Sequence, residues 1–284
     1  MSCELFFIRG NAKSGTNWLC NLMNLHPMIR CKGEFQLQHL FVGFDKTLNA
    51  KWGLLSKNKD LLKDGFYSMI ESIVFQYCDY YPLCCDRSPI GLCKTIMPGK
   101  KYLYITRDGR DVLVSWAFHA MRNNIVSFPE FQKNVDLFQK DPDYFEKNKH
   151  VLLNSRDIVR SIAMFWNQLI VDDFKLMQRV DAGEIPIQYL WIKYEALISN
   201  INVELDRIFA FLGVDPNLAK PLTERTQPGF DRIDNQSIYR RGATGAWSEY
   251  MTEEQLSWFM EDAAEGMRII ESSPYQGGEV SSNT

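Results

Sequence analysis

The chain has 284 residues, of which 45% are hydrophobic and 24% are charged, and its formal net charge is −3. These values are ordinary for a soluble globular protein that can bury a sizeable core. Because basic residues are not in excess, we expect no nucleic-acid partner and no attraction to an acidic membrane, and any anion site must be local.

The first part of the chain begins with a strand and a helix. Glu4–Arg9 carries the apolar run Leu-Phe-Phe-Ile, which is typical of a parallel strand covered on both faces. Apolar residues at helical spacing predict a helix at Thr16–Leu25, and we expect further helices at Tyr67–Tyr80 and Pro89–Met97.

Strands and helices alternate through the rest of the chain. We predict strands at Lys101–Thr106 and Ile187–Ile192, and helices at Val112–Met121, Asp157–Val180, Ala196–Leu212 and Thr252–Met267. This alternation favours an α/β fold with a central parallel sheet, in a single domain over residues 1–271. The polar, Gly/Ser-rich end, residues 272–284, is expected to be a flexible tail. The charged and aromatic segment Asn123–His150 is interpreted either as a lid near an active site or as a plain surface excursion.

The cysteines and histidines argue against disulfides and metal sites. Seven cysteines, an odd number without a Cys-x-x-Cys pair, favour buried free thiols in a reducing compartment. The four histidines show no ligand spacing, so we expect no metal. The N-terminus lacks a secretion signal, and no apolar run reaches the roughly 18 residues of a membrane span. These features predict a cytoplasmic protein with no membrane partner.

A candidate anion site follows the first strand, in the stretch "GNAKSGTNW". A strand, a glycine-containing turn and a helix start present free backbone N–H groups to an anion, and Lys13 adds a positive charge. Ser14, Thr16 and Asn17 add side-chain donors. The kinase loop G-x-x-x-x-G-K-[ST] is not matched, because Ala12 precedes the lysine. The alternative is an ordinary turn with a solvated lysine.

Two further basic segments could complete such a site. Arg107 ends a predicted strand and Ser115 follows eight residues later, and an arginine fork suits a phosphate. Arg107 could instead pair with Asp108 or Asp111 in a surface network. In "YRRGATGAW", two arginines precede a glycine, which is also consistent with a plain basic turn.

Together these segments resemble the sulfotransferases that use 3′-phosphoadenosine 5′-phosphosulfate (PAPS). Lys-Ser-Gly-Thr before Trp18 is similar to that family's 5′-phosphosulfate loop, and "RRGATGAW" is similar to its C-terminal R-K-G-x-x-G-x-W segment. The resemblance implies a P-loop-like three-layer fold, PAPS as the donor, 3′,5′-ADP (PAP) as the product, and no metal requirement.

The resemblance also implies roles for individual residues. Those expected at the 5′-phosphosulfate are Lys13, Ser14, Gly15, Thr16 and Asn17. Trp18 and Tyr194 would lie beside the adenine, although Tyr194 could equally be a core or rim residue. Those expected at the 3′-phosphate are Arg107, Ser115, Arg240, Arg241 and Gly242.

The general base is expected to be a glutamate. Many cytosolic members carry a histidine in a Lys-Thr-His motif, whereas this chain has Lys94-Thr95-Ile96. "LHPMIRCKGEF" resembles the branch that includes tyrosylprotein and bacterial enzymes, in which Glu34 would match the base. His39 is the alternative base, and Glu34 could instead be a carboxylate at a helix start. In "CCDRSP", Arg87 would take a lysine's role and stabilise the transferring sulfonate.

The expected reaction is therefore in-line transfer of a sulfonate group from PAPS to a hydroxyl or amine of a small-molecule acceptor. A small-molecule or nucleoside kinase with a variant loop, and a binding module without catalysis, are the alternatives. The acceptor, the choice between O- and N-sulfation, and the oligomeric state stay open.

Overall fold

Five parallel strands form one sheet in the order β2-β3-β1-β4-β5. The strands are β1 (Glu4–Arg9), β2 (Ile29–Gly33), β3 (Leu83–Arg87), β4 (Lys101–Thr106) and β5 (Gln188–Lys193). The structure is a computed structural model that describes residues 3–51, 57–125, 129–228 and 242–272, with the backbone alone at residue 225.

The helices of the described residues cover both faces of this sheet. They are α1 (Thr16–Met23), α2 (Leu37–Leu48), α3 (Lys59–Tyr77), α4 (Gly109–Arg122), α5 (Gln132–Lys140), α6 (Tyr144–Lys147), α7 (Arg156–Asp181), α8 (Tyr194–Ser199), α9 (Ile201–Leu212) and α10 (Glu253–Ser272). None of them combines the length and the apolar character of a helix that crosses a membrane.

Two apolar cores lie on opposite faces of the sheet, because neighbouring residues of a strand point to opposite sides. Phe7 and Tyr104 belong to the core shared with α4, α7 and α10. Phe6 and Ile105 belong to the core shared with α1 and α9. The three-layer α/β fold predicted from the sequence is thus confirmed.

The strand order places a crevice at the carboxyl end of the sheet. β1 pairs with β3 on one side and with β4 on the other. The chain leaves β1 toward β2 and leaves β4 toward β5, so the loops after β1 and β4 diverge. Ligands of open α/β sheets bind at such a switch point.

Some predicted elements are confirmed and others are wrong. β1 and β4 have the predicted bounds, and β5 is shifted by one residue. The helix predicted at Pro89–Met97 is wrong, since only a 3₁₀ turn at Leu92–Lys94 forms there. The helix predicted at Ala196–Leu212 is two helices, α8 and α9. β2, β3 and α2 were not predicted, and the two strands are short and carry charged residues instead of an apolar run.

The described residues of the segment Asn123–His150 are part of the folded body. Phe131, Val135 and Phe145 are fully buried in the core beside α4. This burial contradicts the plain surface excursion. The predicted tail lies outside the described residues apart from Ser272, which ends α10.

A buried ion pair joins the carboxyl ends of β1 and β3. Arg9 Nη2 lies 2.7 Å from Asp86 Oδ2, and both side chains are fully buried. Arg9 also donates to Thr95 Oγ1 and to two backbone carbonyls. Asp86 Oδ1 accepts from the Ser88 hydroxyl and from the Phe35 N–H. Such a satisfied network is costly to break on one side, because the partner charge stays buried.

We expect Asp86→Ala to lower the free energy of unfolding by about 3–5 kcal/mol, because it leaves the Arg9 guanidinium buried without its counter-ion. Urea unfolding followed by circular dichroism measures the change. The matched control is Glu184→Ala, which removes a partner of the exposed Arg179 and should cost no more than about 1 kcal/mol. Equal losses in the two variants would contradict the structural role of the buried pair.

Candidate active site

A cavity of about 420 Å³ lies where the five strands end. The loop after β1 contributes the largest group of lining residues, and the segments after the other four strands each contribute at least one. The residues that line it are Ala12, Lys13, Gly15, Thr16, Asn17, Trp18, Glu34, Pro89, Arg107, Ser115, Trp116, His119, Ile125, Tyr194, Pro228 and Gly242.

The loop between β1 and α1 has the geometry of an anion site. α1 begins at Thr16, and no side chain caps it. Its first backbone N–H groups therefore lack a side-chain acceptor and are available to an anion. Gly15 is in the left-handed region with φ 100°, and a Cβ there would meet the Tyr194 ring at 2.6 Å. Glycine is therefore needed at this position both for the turn and for the ring that closes over it.

Four buried donors of this region have no hydrogen-bond partner among the described residues. Asn11 Nδ2 and Ser14 Oγ belong to the loop after β1, Arg107 Nε is at the cavity wall, and Arg87 Nε is beside Glu34. Buried polar groups are nearly always paired, so orphaned donors beside a cavity indicate a ligand that supplies acceptors. Phosphate and sulfonate oxygens would meet this need. Ser14 differs from its neighbours in that it does not line the cavity itself.

Arg107 joins three separate segments at the cavity. Its guanidinium donates to the backbone carbonyl of Lys13 at 3.3 Å and to that of Ala243 at 2.8 Å. It also lies over the Tyr194 ring, with Cζ 4.4 Å from the centroid. The Tyr194 hydroxyl donates in turn to the Gly242 carbonyl at 3.0 Å. Arg107 is thus fixed before any ligand binds.

Asp111 anchors the segment that follows Gly242. This buried carboxylate accepts from the backbone N–H groups of Gly245 and Trp247, at 2.8 and 3.0 Å. It also lies 3.7 Å from Arg107, so the pairing weighed as an alternative to a phosphate site does occur. Burial raises the pKa of the Asp111 carboxyl, although Arg107 and the two N–H donors oppose that rise.

Glu34 and Arg87 meet at the edge of the cavity. β2 ends at Gly33, where a Cβ would lie 2.1 Å from the Arg87 carbonyl oxygen, so only glycine allows this approach. The Glu34 carboxylate forms an ion pair with Arg87 Nη1 and accepts from Gln36 Nε2 at 3.3 Å. Glu34 lines the cavity, whereas Arg87 does not line it and lies behind Glu34 as its ion-pair partner.

The structure separates the two candidate bases. Glu34 lines the cavity, whereas His39 is exposed on α2 and does not. Glu34 also precedes α2 by three residues, so it is not a helix-start carboxylate.

Most of the predicted site residues come together. Those that line the common cavity are Lys13, Gly15, Thr16, Asn17, Trp18, Glu34, Arg107, Ser115, Tyr194 and Gly242. Arg240 and Arg241 lie outside the described residues. Trp18 is anchored by a hydrogen bond from its indole N–H to the Thr226 carbonyl at 2.7 Å.

Sequence reasoning missed one wall of the cavity. Trp116 and His119 from α4, Pro89 after β3 and Ile125 after α4 line it. The helical spacing from Ser115 to His119 could have identified the histidine, since residues four apart share a helix face.

Charge and burial shift the pKa of Lys13. Its pKa is lowered from 10.5 to about 8, chiefly by burial and further by the nearby charges of Arg122 and Arg107, while Glu34 opposes the decrease. When the Lys13 amine is neutral, it takes up a proton as an anion binds beside it.

Within the described residues, no three His, Cys, Asp or Glu side chains form a group that could hold a metal ion.

The comparisons with known proteins point to one family. Residues 4–270 match the family model for the sulfotransferase domain. Protein-tyrosine sulfotransferase A of Caenorhabditis elegans is 26% identical over 232 residues, which are 74% of this chain and 59% of that protein. Protein-tyrosine sulfotransferase 1 of Homo sapiens is 25% identical over 145 residues, 46% of this chain and 37% of that protein. The chain therefore spans about three fifths or less of these relatives.

Among solved structures, mouse sulfotransferase SULT7A1 complexed with PAP has a similar fold. The TM-score is 0.52 at 18% sequence identity, and the match covers 93% of this chain and 85% of that chain.

The pKa of Lys13 predicts how ligand affinity depends on pH. Below pH 8 the ammonium is present, and above it an anionic ligand, for which 3′,5′-ADP serves as the probe, would first have to restore the proton. We therefore expect the Kd to rise above pH 8, by up to about tenfold per pH unit. Isothermal titration calorimetry between pH 7.5 and 9.5 measures it, a range in which the ligand phosphates stay ionised. Lys13→Arg keeps its charge and should give a flat profile, and an equally steep profile in that variant would contradict the assignment to Lys13.

Proposed function

The chain belongs to the sulfotransferase family, and from this premise we propose that it transfers a sulfonate group from PAPS to a hydroxyl or amine of a small-molecule acceptor. The observation that supports this most strongly is the shared cavity, in which Lys13, Arg107 and Gly242 meet although they are far apart in sequence. The orphaned donors Ser14 Oγ and Arg107 Nε fit a ligand that carries several anionic oxygens.

PAPS, when bound, supplies the sulfonate that is transferred. Lys13 and the N–H groups at the start of α1 would hold the 5′-phosphosulfate, and Arg107 with Ser115 would hold the 3′-phosphate. Arg240 and Arg241 are proposed for the same phosphate. Trp18 and Tyr194 pack edge to face with ring centroids 5.5 Å apart, and they would border the adenine.

Glu34 is proposed to accept the proton of the attacking hydroxyl or amine. Its carboxylate lines the cavity and is ion-paired with Arg87, and it can receive a proton within hydrogen-bond reach of an acceptor placed there. Arg87 would then orient Glu34 and stabilise the charge that develops on the transferring group. Lys13 would support the same charge from the loop after β1.

The apolar wall favours a flat acceptor. Trp116, Pro89 and Ile125 line the cavity together with Glu34, and an aromatic ring would pack against them. A tyrosine hydroxyl in a peptide is the second candidate acceptor, because the relatives named above are protein-tyrosine sulfotransferases. A kinase reaction is not favoured by the family assignment. The cytoplasmic location stays a prediction.

The donor site is tested by ligand-induced stabilisation. We expect 3′,5′-ADP to raise the melting temperature without magnesium, because the cavity binds the phosphates with Lys13, Arg107 and backbone N–H groups. Mg-ATP at the same concentration should raise it less. Differential scanning fluorimetry measures both shifts. A larger shift with Mg-ATP would contradict the PAPS assignment and favour a kinase.

Catalysis is tested by transfer of label from PAPS to a metabolite panel that includes phenols and a tyrosine peptide. We expect Lys13→Ala and Glu34→Ala each to lower kcat by about 10²- to 10⁴-fold, because they remove charge stabilisation and the base. His39→Ala is the control and should transfer at close to the normal rate. A near-normal rate in Glu34→Ala would exclude Glu34 as the base, and binding of 3′,5′-ADP without transfer to any acceptor would favour a binding module.

A further inference from the structure

His119 lies on the cavity wall but has no place in the reaction described above. It is on α4, one turn beyond Ser115, and its ring lines the cavity together with Trp116 and Glu34. A histidine beside a proposed general base raises the question of whether it takes a proton or donates a hydrogen bond.

Asn123 fixes which ring nitrogen of His119 carries the proton. The Asn123 side-chain nitrogen donates to the His119 backbone carbonyl at 2.8 Å, and a carbonyl can only accept, so the amide has one orientation. The same nitrogen lies 3.1 Å from His119 Nδ1. Nδ1 is therefore the acceptor, and the ring proton belongs on Nε2.

The ring is also kept neutral. Burial lowers the pKa of His119 to about 4, and the charges of Lys13 and Arg122 contribute to that decrease. A neutral ring with its proton on Nε2 has no free lone pair toward the cavity, because Nδ1 is occupied by Asn123. Within the described part of the chain, Nε2 has no hydrogen-bond partner of its own.

We infer that His119 is a hydrogen-bond donor to the acceptor substrate, through Nε2–H, and that the acceptor carries an oxygen that receives this bond. Lys13 and Arg122 lie close enough to influence the ring, so they favour an oxygen with negative charge, such as a carboxylate. His119 thus selects the acceptor, while Glu34 receives the proton. The part of this inference that concerns the acceptor rests on the proposed function, whereas the protonation of the ring does not.

The protonation state can be measured without an acceptor. The chain has four histidines, so the long-range ¹H–¹⁵N spectrum is simple, and His119→Gln identifies the His119 signals by their loss. His26 provides an internal reference, because its Nδ1 accepts from the Met28 N–H at 3.2 Å and its Nε2 faces the Asp215 carbonyl at 2.9 Å.

We expect His119 to keep the neutral Nε2–H pattern from pH 5.5 to 8.5, and Asn123→Ala to give a mixture of the two neutral forms. An Nδ1–H ring or an imidazolium at pH 7 would overturn the inference.

The donor role is tested with a matched pair of variants. Glutamine can donate but cannot act as a base, and phenylalanine can do neither. We expect His119→Phe to lower kcat/KM for hydroxybenzoates by about 10- to 100-fold, the value of a hydrogen bond to a charged group, and His119→Gln to recover at least tenfold of that loss. Cresols have a methyl group in place of the carboxylate, and for them kcat/KM should differ much less between the two variants.

Two outcomes of this experiment overturn the donor role. One is equal loss in the glutamine and phenylalanine variants, which would indicate a base. The other is an equal effect on hydroxybenzoates and cresols, which would indicate packing alone. The affinity for 3′,5′-ADP should stay the same in both variants. If the unmodified protein transfers sulfonate to no acceptor of the metabolite panel, the proposed function fails. Binding of hydroxybenzoates and cresols to the protein saturated with 3′,5′-ADP then still compares the two variants and tests the donor role by itself.

Discussion

The Arg9–Asp86 ion pair is the constraint on which the rest of the site depends. Both charges are fully buried, and the hydrogen bonds of the pair go to strand ends or to segments that leave one. Since removing two charges from water is costly, the pair is favourable only when the ends of β1 and β3 are in register. Asp86 also accepts from the Phe35 N–H, which lies next to Glu34, and Arg87 follows Asp86 in the chain. The buried pair therefore determines where Glu34 and Arg87 meet.

Arg107 provides the second constraint, and it acts across layers instead of within the sheet. Its guanidinium reaches the loop after β1, the ring that begins α8 and the backbone beside Gly242. Asp111, one turn further along α4, binds the segment from Gly245 to Trp247. Because these segments come from distant parts of the chain, the cavity forms only when the whole sheet is folded. This explains why Arg107, Tyr194 and Gly242 meet at the cavity without a shared local sequence pattern.

The sequence predicts those parts of the molecule that local chemistry determines. β1 and β4 are long apolar runs, and the loop around Lys13 carries its signal in consecutive residues. β2 and β3 could not be predicted, because Arg30, Lys32 and Asp86 interrupt short strands whose burial depends on neighbouring layers. The contribution of His119 and Trp116 depends on which face of α4 meets the cavity, and only the packing of α4 decides that. The ion pair between Glu34 and Arg87 likewise results from strand pairing over 53 residues of sequence.

The electrostatics of the cavity follow from these two constraints. The chain as a whole carries a net charge of −3, yet the packing brings Lys13, Arg107 and Arg122 close enough to lower the pKa of the lysine. Repulsion among these three positive charges lowers the stability of the folded protein when no ligand is bound. A polyanionic ligand relieves this repulsion, and that relief is part of how the ligand would stabilise the folded protein. The nearby carboxylates limit this cost, since Asp111 lies beside Arg107 and Glu34 is paired with Arg87. Among the described residues, the positive charge at the cavity is therefore a local arrangement that the net charge of the chain does not reveal.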